Sequence, residues 1–184
     1  LSVNLQLNDR TVDLVEEGFD VAVRIGQLAD SSLVARRLAP LNTAIVAAPA
    51  YLARYGRPEH PRDLQEHACL LYSYLASGAV WHFRGPGGRV RVPVTGRLEA
   101  NNGDVLLAAA RGGVGIARLP TFICGDAVRT GELERLLPDW VDTADAAVYA
   151  VYPASRQVSP KLRVFLDFLA ARFGPDPYWD RALA

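Results

Sequence analysis

Residues 98–120 constrain the fold more than any other stretch of this chain. They read Leu-Glu-Ala-Asn-Asn-Gly-Asp-Val-Leu-Leu-Ala-Ala-Ala-Arg-Gly-Gly-Val-Gly-Ile-Ala-Arg-Leu-Pro, which parses as the end of a strand, a helix, a glycine turn and a second strand. Asn102 is the expected N-cap, because its side-chain oxygen can accept from the unpaired N–H groups of the first turn. Asp104 follows in that turn, where a negative charge suits the helix dipole. Val105, Leu106, Ala109 and Ala110 recur at the spacing of one helical face. Gly112-Gly113 ends the helix, residues 114–119 form a short apolar run suited to a buried strand, and Pro120 can open the next helix.

In open α/β sheets, ligands bind outside the carboxyl ends of the strands, where helices begin. Asn101 and Asn102 fall at such an edge. Backbone N–H groups at a helix start suit an anion or a polar small molecule. The alternative is that both asparagines only cap and turn the chain, a role Asn and Gly commonly take.

The chain has 184 residues, enough for one domain or two small lobes, and half of them are hydrophobic. Twenty basic residues balance twenty acidic ones, so composition argues against this segment itself binding nucleic acid, which needs a basic face. No apolar run approaches the roughly 20 residues of a membrane span. The sequence opens at Leu1 without methionine and without a visible signal peptide, and reads as a fragment or processed product of a cytoplasmic protein. Cys69 and Cys124 are isolated in apolar surroundings, with neither disulfide-framework nor metal spacing. They are expected as reduced, buried thiols. Arginine outnumbers lysine almost completely, Lys161 being the only lysine, which we read as codon bias.

Along the chain, Val3, Leu5 and Leu7 alternate with polar residues and predict a half-buried strand. Asp9 is expected to cap a following helix that ends at Gly18, and residues 19–25 form the next strand, so a parallel βαβ unit is expected. Residues 30–32 are a polar turn and residues 33–38 a strand. Residues 43–48 form an apolar strand, Pro49 starts a helix through Tyr55, and residues 58–67 hold a second short helix. A strand over 68–72 precedes a hairpin, with strands 80–84 and 90–94 around a four-residue Gly-Pro-Gly-Gly loop. Beyond Pro120 come a helix ended by Gly131, a strand over 133–136, a loop over 138–143 and a strand over 146–152. Ser159-Pro160 then supplies N-cap and N1 of the last helix. The strands at 43–48 and 146–152 are expected to be paired crossovers between two lobes, residues 1–44 with 149–184 and residues 45–148. A cleft between lobes is a usual place for a small ligand.

Catalytic and metal signatures do not emerge. His60, His67 and His82 do not space as metal ligands, no Gly-x-Ser-x-Gly elbow occurs, and Gly113-x-Gly115 precedes a strand rather than following one, unlike a dinucleotide fingerprint. No P-loop occurs, and no cofactor or enzymatic activity is expected.

An ordered set of segments resembles the effector-binding domain of LysR-type transcriptional regulators. The set comprises Asn8-Asp9-Arg10, Val12-Asp13-Leu14-Val15-Glu16-Glu17-Gly18-Phe19-Asp20-Val21-Ala22-Val23-Arg24-Ile25-Gly26, Asp30-Ser31-Ser32-Leu33 and Ala35-Arg36-Arg37-Leu38. It continues through Ala48-Pro49-Ala50-Tyr51-Leu52 and Gly113-Val114-Gly115-Ile116-Ala117-Arg118-Leu119-Pro120 to Val151-Tyr152-Pro153 and Ser159-Pro160-Lys161.

The resemblance implies a two-lobed α/β fold like that of periplasmic binding proteins, with the first strand and first helix of its first lobe absent. It also implies a small effector, here expected to be anionic, bound between the lobes. Self-association to a dimer or tetramer is implied, with DNA contacted only through an N-terminal domain absent from this sequence, and no membrane partner. By motif, the ligand contacts it implies are Arg24, Gly26, Ser31 and Ser32 in the first lobe. In the second they are Ala48, Pro49, Asn101, Asn102, Ile116, Arg118 and Pro120. Arg118 could hold a carboxylate through its guanidinium fork, or form a surface ion pair. A free-standing solute-binding protein shares the implied fold and is the alternative. An enzyme on a similar fold, such as a porphobilinogen deaminase relative, would need a reactive cysteine or carboxylate, and Cys124 in an apolar helix is a poor candidate.

Overall fold

The computed structural model describes residues 1–10, 12–28, 31–74, 78–142, 146–154 and 159–180. In chain order the strands and helices are β1 (Ala22–Gly26), β2 (Leu33–Pro40), β3 (Thr43–Ala47), α1 (Pro49–Tyr55), a 3₁₀ helix (Pro61–Glu66), β4 (Cys69–Tyr72), β5 (Val80–Gly85), β6 (Gly88–Pro93), β7 (Glu99–Ala100), α2 (Gly103–Arg111), β8 (Ile116–Pro120), α3 (Thr121–Arg129), β9 (Glu134–Leu136), β10 (Val141–Asp142), β11 (Ala147–Pro153) and α4 (Pro160–Phe173). They fall into two compact units. Unit 1 is Leu1–Leu41 with Asp145–Tyr178, and unit 2 is Asn42–Ala144 with Trp179–Ala184.

Unit 1 is built on an antiparallel sheet in the order β1-β11-β2. Its centre is β11, where Ala147, Val148, Ala150 and Val151 are buried. Ser159 caps α4 by accepting from the Leu162 N–H, and Pro160 takes the first turn, as the sequence predicts. Leu166 and Leu169 are the buried residues of that helix.

The parallel βαβ unit expected at the start is not formed. Residues 1–8 belong to no strand, and Val3, Leu5 and Leu7 are exposed. Alternation marks which face of a strand is apolar, but a strand also needs a neighbour to take its N–H and C=O groups. None of the described strands pairs with residues 1–8. The helix expected after Asp9 is a short turn, and Asp13 rather than Asp9 organises it. The Asp13 carboxylate accepts from the Val15 and Glu16 N–H groups, and these two bonds hold it below the ordinary carboxylate range.

Unit 2 carries a five-stranded mixed sheet in the order β7-β4-β8-β3-β9. Strands β7, β4 and β8 run parallel, whereas β3 is antiparallel to both β8 and β9. Near-continuous apolar sequence in β3 and β8 fits burial on both faces. Val46, Ala47, Ile116 and Ala117 are completely buried. A smaller antiparallel sheet, β10-β5-β6, turns Trp81, Phe83 and Val92 into the same core. Residues 138–143, expected as loop, include β10, which pairs with β5. A two-residue strand carries too little periodicity to be read from sequence. The hairpin turns through Pro86-Gly87, so its connection is two residues shorter than expected.

Tyr51 ties α1 to the sheet. Its buried hydroxyl accepts from the Ala68 N–H at 3.0 Å and lies 3.2 Å from His67 Nδ1. Burial holds the His67 imidazole below its usual pKa, and the neutral ring can accept the Tyr51 proton. Close backbone approach beside β4 requires glycine. A Cβ at Gly115 would lie 2.3 Å from the Ala68 carbonyl oxygen, and one at Gly96 would lie 1.6 Å from that of Cys69. Gly115→Ala is therefore expected to destabilise unit 2 by about 3 kcal/mol, the upper range for overpacking. Urea unfolding should show this as a lower midpoint at unchanged slope.

Candidate functional site

Strand direction sorts the candidate residues. Because β4, β7 and β8 are parallel, their carboxyl ends lie along one edge of the five-stranded sheet. Tyr72, Ser73 and Tyr74 leave β4 there, Asn101 and Asn102 leave β7, and Pro120 ends β8. Strand β3 starts at the same edge, since Thr43 pairs with Pro120. Both α2 and α3 begin there.

Asn102 caps α2 as the sequence predicts. Its Oδ1 accepts from the Asp104 N–H at 3.0 Å and the Val105 N–H at 3.1 Å, so of the two roles the sequence leaves open, ligand contact or cap, these backbone groups serve the cap. Asn101 is exposed, and its Nδ2 donates to the Tyr74 hydroxyl at 3.4 Å. Tyr74 stacks edge-to-face on Tyr72, with ring centroids 6.1 Å apart. These tyrosines carry no motif, and only the register of β4 against β7 brings Tyr74 to Asn101.

A carboxylate of the chain itself sits at the start of α3. Asp180 accepts from Asn42 Nδ2 at 2.7 Å and from the Thr121 hydroxyl. Trp179 packs edge-to-face on Phe122. One Trp-Asp pair carries no periodicity, so nothing in the sequence marks this tail for such a role.

Ala48, Pro49 and Ile116 do not join this edge. Strand β3 runs against β8, so Ala48 and Pro49 emerge at the opposite end, where the Tyr51 nitrogen lies 4.0 Å from a Cβ built on Gly113. Ile116 opens β8 at that far end, pairs with Cys69 and is fully buried. The motif match fixed these positions in sequence but carried no strand direction, and the antiparallel β3 reverses the expected placement.

Arg118 is buried inside unit 2. Its guanidinium meets Asp142 at 3.2 Å, with the two side chains 5% and 11% exposed, and lies 5.6 Å from the Trp81 ring centroid. The Thr43 hydroxyl donates to the same Asp142 carboxylate at 3.2 Å. The sequence leaves Arg118 open between a ligand carboxylate clamp and a surface ion pair, and the structure pairs it with a carboxylate of the chain itself, from β10, in the interior rather than at the surface. Burial pulls the Arg118 pKa down and Asp142 pushes it back.

In unit 1, Arg24 donates to the Val12 carbonyl at 2.9 Å and so braces the turn led by Asp13. Gly26 ends β1 with φ of +138°. Ser31 and Ser32 are exposed, and Ser31 Oγ accepts from the Leu33 N–H at 3.4 Å. Asp30 of the expected turn lies outside the described residues.

Cys69 and Cys124 are both free and buried. Desolvation pushes their thiols up to about 12 and about 11, the opposite of a nucleophile. No cluster of His, Cys, Asp and Glu among the described residues could hold a metal ion. Among the same residues no helix is long and apolar enough to cross a membrane.

A two-unit α/β chain with candidate polar groups at a carboxyl strand edge is a ligand-binding architecture. The comparisons specify which one. Residues 1–174 match the family described as the LysR substrate binding domain, and the chain belongs to that family.

Among curated relatives, an uncharacterised HTH-type transcriptional regulator of Haemophilus influenzae is 36% identical over 88% of the chain and 56% of its own length. The HTH-type transcriptional activator AaeR of Escherichia coli is 35% identical over 94% of the chain and 56% of its own length. The chain thus spans a little over half the length of the relatives it matches. The regulatory domain of CrgA, a LysR-type transcriptional regulator from Neisseria meningitidis, superposes with a TM-score of 0.77 at 32% identity, covering 87% of this chain and 78% of that one. Full-length AphB, the Vibrio cholerae virulence activator, gives 0.77 at 28% identity, covering 91% and 57%. The periplasmic-binding-protein-like α/β fold expected from the sequence is that of these regulatory domains.

Two outcomes follow. Asp142→Asn leaves Arg118 buried without its counter-charge and is expected to cost about 3–5 kcal/mol, measured by chemical denaturation. Both thiols should resist a thiol-reactive dye at pH 8 in the folded protein and react promptly in denaturant.

Proposed function

We propose that this chain is the effector-binding and self-associating domain of a cytoplasmic LysR-type DNA-binding transcriptional regulator, and that its effector is a small anionic metabolite. The family match over residues 1–174 carries this reading. The strand edge supplies its chemistry. Asn101 and Tyr74 offer exposed hydrogen-bonding groups, and α2 and α3 point their positive ends the same way. Asp180 illustrates the class of group that suits this edge, since its carboxylate is held there by Asn42 and Thr121.

Within the candidate set, Asn102 acts as the cap that orients the α2 start, Asn101 as a direct contact, and Pro120 as the turn that sets the α3 start. Arg118 acts through structure, by holding β10 to β8. Ser31 and Ser32 are the polar candidates of unit 1, and their alanine variants belong in the same assay. A free-standing solute-binding protein would share this fold. The relatives at 35–36% identity carry regulator names, which favours a sensor over a carrier or an enzyme.

Thermal unfolding against a panel of small carboxylates tests the reading. A carboxylate at about 100 times its Kd should stabilise the protein by about 2.7 kcal/mol. Asn101→Ala should remove that gain while leaving the unliganded Tm within a degree or two. A panel without any shift, or a shift indifferent to Asn101→Ala, would contradict it.

A further inference from the structure

The outer face of the β5–β6 hairpin is basic and, among the described residues, its arginines take part in no ion pair. Trp81, Phe83 and Val92 point into the core, so alternation sends His82, Arg84, Arg89 and Arg91 to the other side. Arg84, Arg89 and Arg91 are exposed. The antiparallel register sets Arg84 directly opposite Arg89 and His82 directly opposite Arg91. Like charges placed opposite one another destabilise a strand pair. Among the described residues, the six ion pairs of the structure include none of these three arginines. The third strand adds no compensation. Val141 pairs with Arg84, while Asp142 in β10 turns inward to Arg118.

Charges on an edge strand can serve to block edge-to-edge aggregation. That explains Arg89 and Arg91 on β6. It does not explain Arg84, which lies on the central strand β5. The chain as a whole is neutral, so this concentration is local. Three arginines on alternate rungs of a two-stranded ladder, Arg84 opposite Arg89 and Arg91 opposite His82, bring to one face guanidinium forks suited to phosphate oxygens.

We propose that this hairpin face is an additional docking surface for the phosphate backbone of duplex DNA, bound without base readout, which revises the expectation that DNA is contacted only through an N-terminal domain. It uses none of the candidate effector residues. It rests on the regulator reading only in naming DNA as the source of the phosphates.

The test is fluorescence anisotropy of this chain with a labelled 25-base-pair duplex of arbitrary sequence. Three phosphate contacts give a log–log salt slope of about −2.7, so affinity should fall about 40-fold between roughly 50 and 200 mM salt. The triple variant R84A/R89A/R91A should lose this binding and flatten the slope, with an unfolding midpoint no lower than that of the parent. The matching triple lysine variant should retain salt-dependent binding. Absence of DNA binding at low salt would overturn the proposal, as would a slope unchanged in the alanine variant. Binding of polyglutamate with no binding of DNA would overturn it equally, and would assign the face to an acidic protein segment. A failure here leaves the carboxylate thermal shift untouched, so the two readings fail separately.

Discussion

One reversal of strand direction governs the chemistry of unit 2. With β3 running against β8, the sheet has two chemically different ends. At one end, three parallel strands finish and two helices begin, so polar side chains and the positive ends of helix dipoles collect there. At the other, Ala48-Pro49 and the glycines before β8 pack backbone against backbone. The first end gathers polar groups and helix starts, and the second closes the core. The same reversal brings Thr43 beside Pro120, which lets the Thr43 hydroxyl reach Asp142 and joins the large sheet to the small one.

That junction is electrostatic as well as apolar. Arg118 comes from β8, Asp142 from β10, and Trp81 from β5 lies against the guanidinium. A buried pair of this kind adds little net stability compared with a well-packed apolar substitute, but losing one partner is severe. Its value is in specifying geometry. Only the register that puts Asp142 opposite Phe83, on the inward face, satisfies Arg118. Alternation along β5 turns Arg84 to the opposite face from Phe83, where the separate β5–β6 register sets it opposite Arg89.

Much of the architecture is legible in the sequence, because local rules agree with it. The Asn102 cap, the glycine stop after Arg111, the Ser159-Pro160 start and the apolar runs of β3, β8 and β11 each follow from nearest-neighbour chemistry. The ordered motifs identify the family. The misses share one cause, in that each depends on a partner far along the chain. Residues 3–7 have a strand pattern but no described strand to pair with. β10 is too short to show a pattern and exists through β5. Arg118 could not be assigned to the interior without knowing where Asp142 lies. A motif carries sequence order without direction, so it does not separate Ala48, Pro49 and Ile116 from the asparagines at the opposite end of the sheet. Tyr74 and Asp180 sit in no motif and reach the edge only through tertiary register.

In the proposed function, the effector meets unit 2 at the carboxyl end of its parallel strands. Backbone amide chemical shifts, followed by two-dimensional NMR during titration with whichever carboxylate gives the greatest thermal shift, test it directly. The account predicts that the perturbed amides cluster at Tyr74, Asn101, Gly103 and Thr121, while Ala50, Tyr51 and Gly113 at the opposite end stay still. Perturbation centred on the 50–51 and 113–115 segments, with the asparagine edge silent, would contradict it.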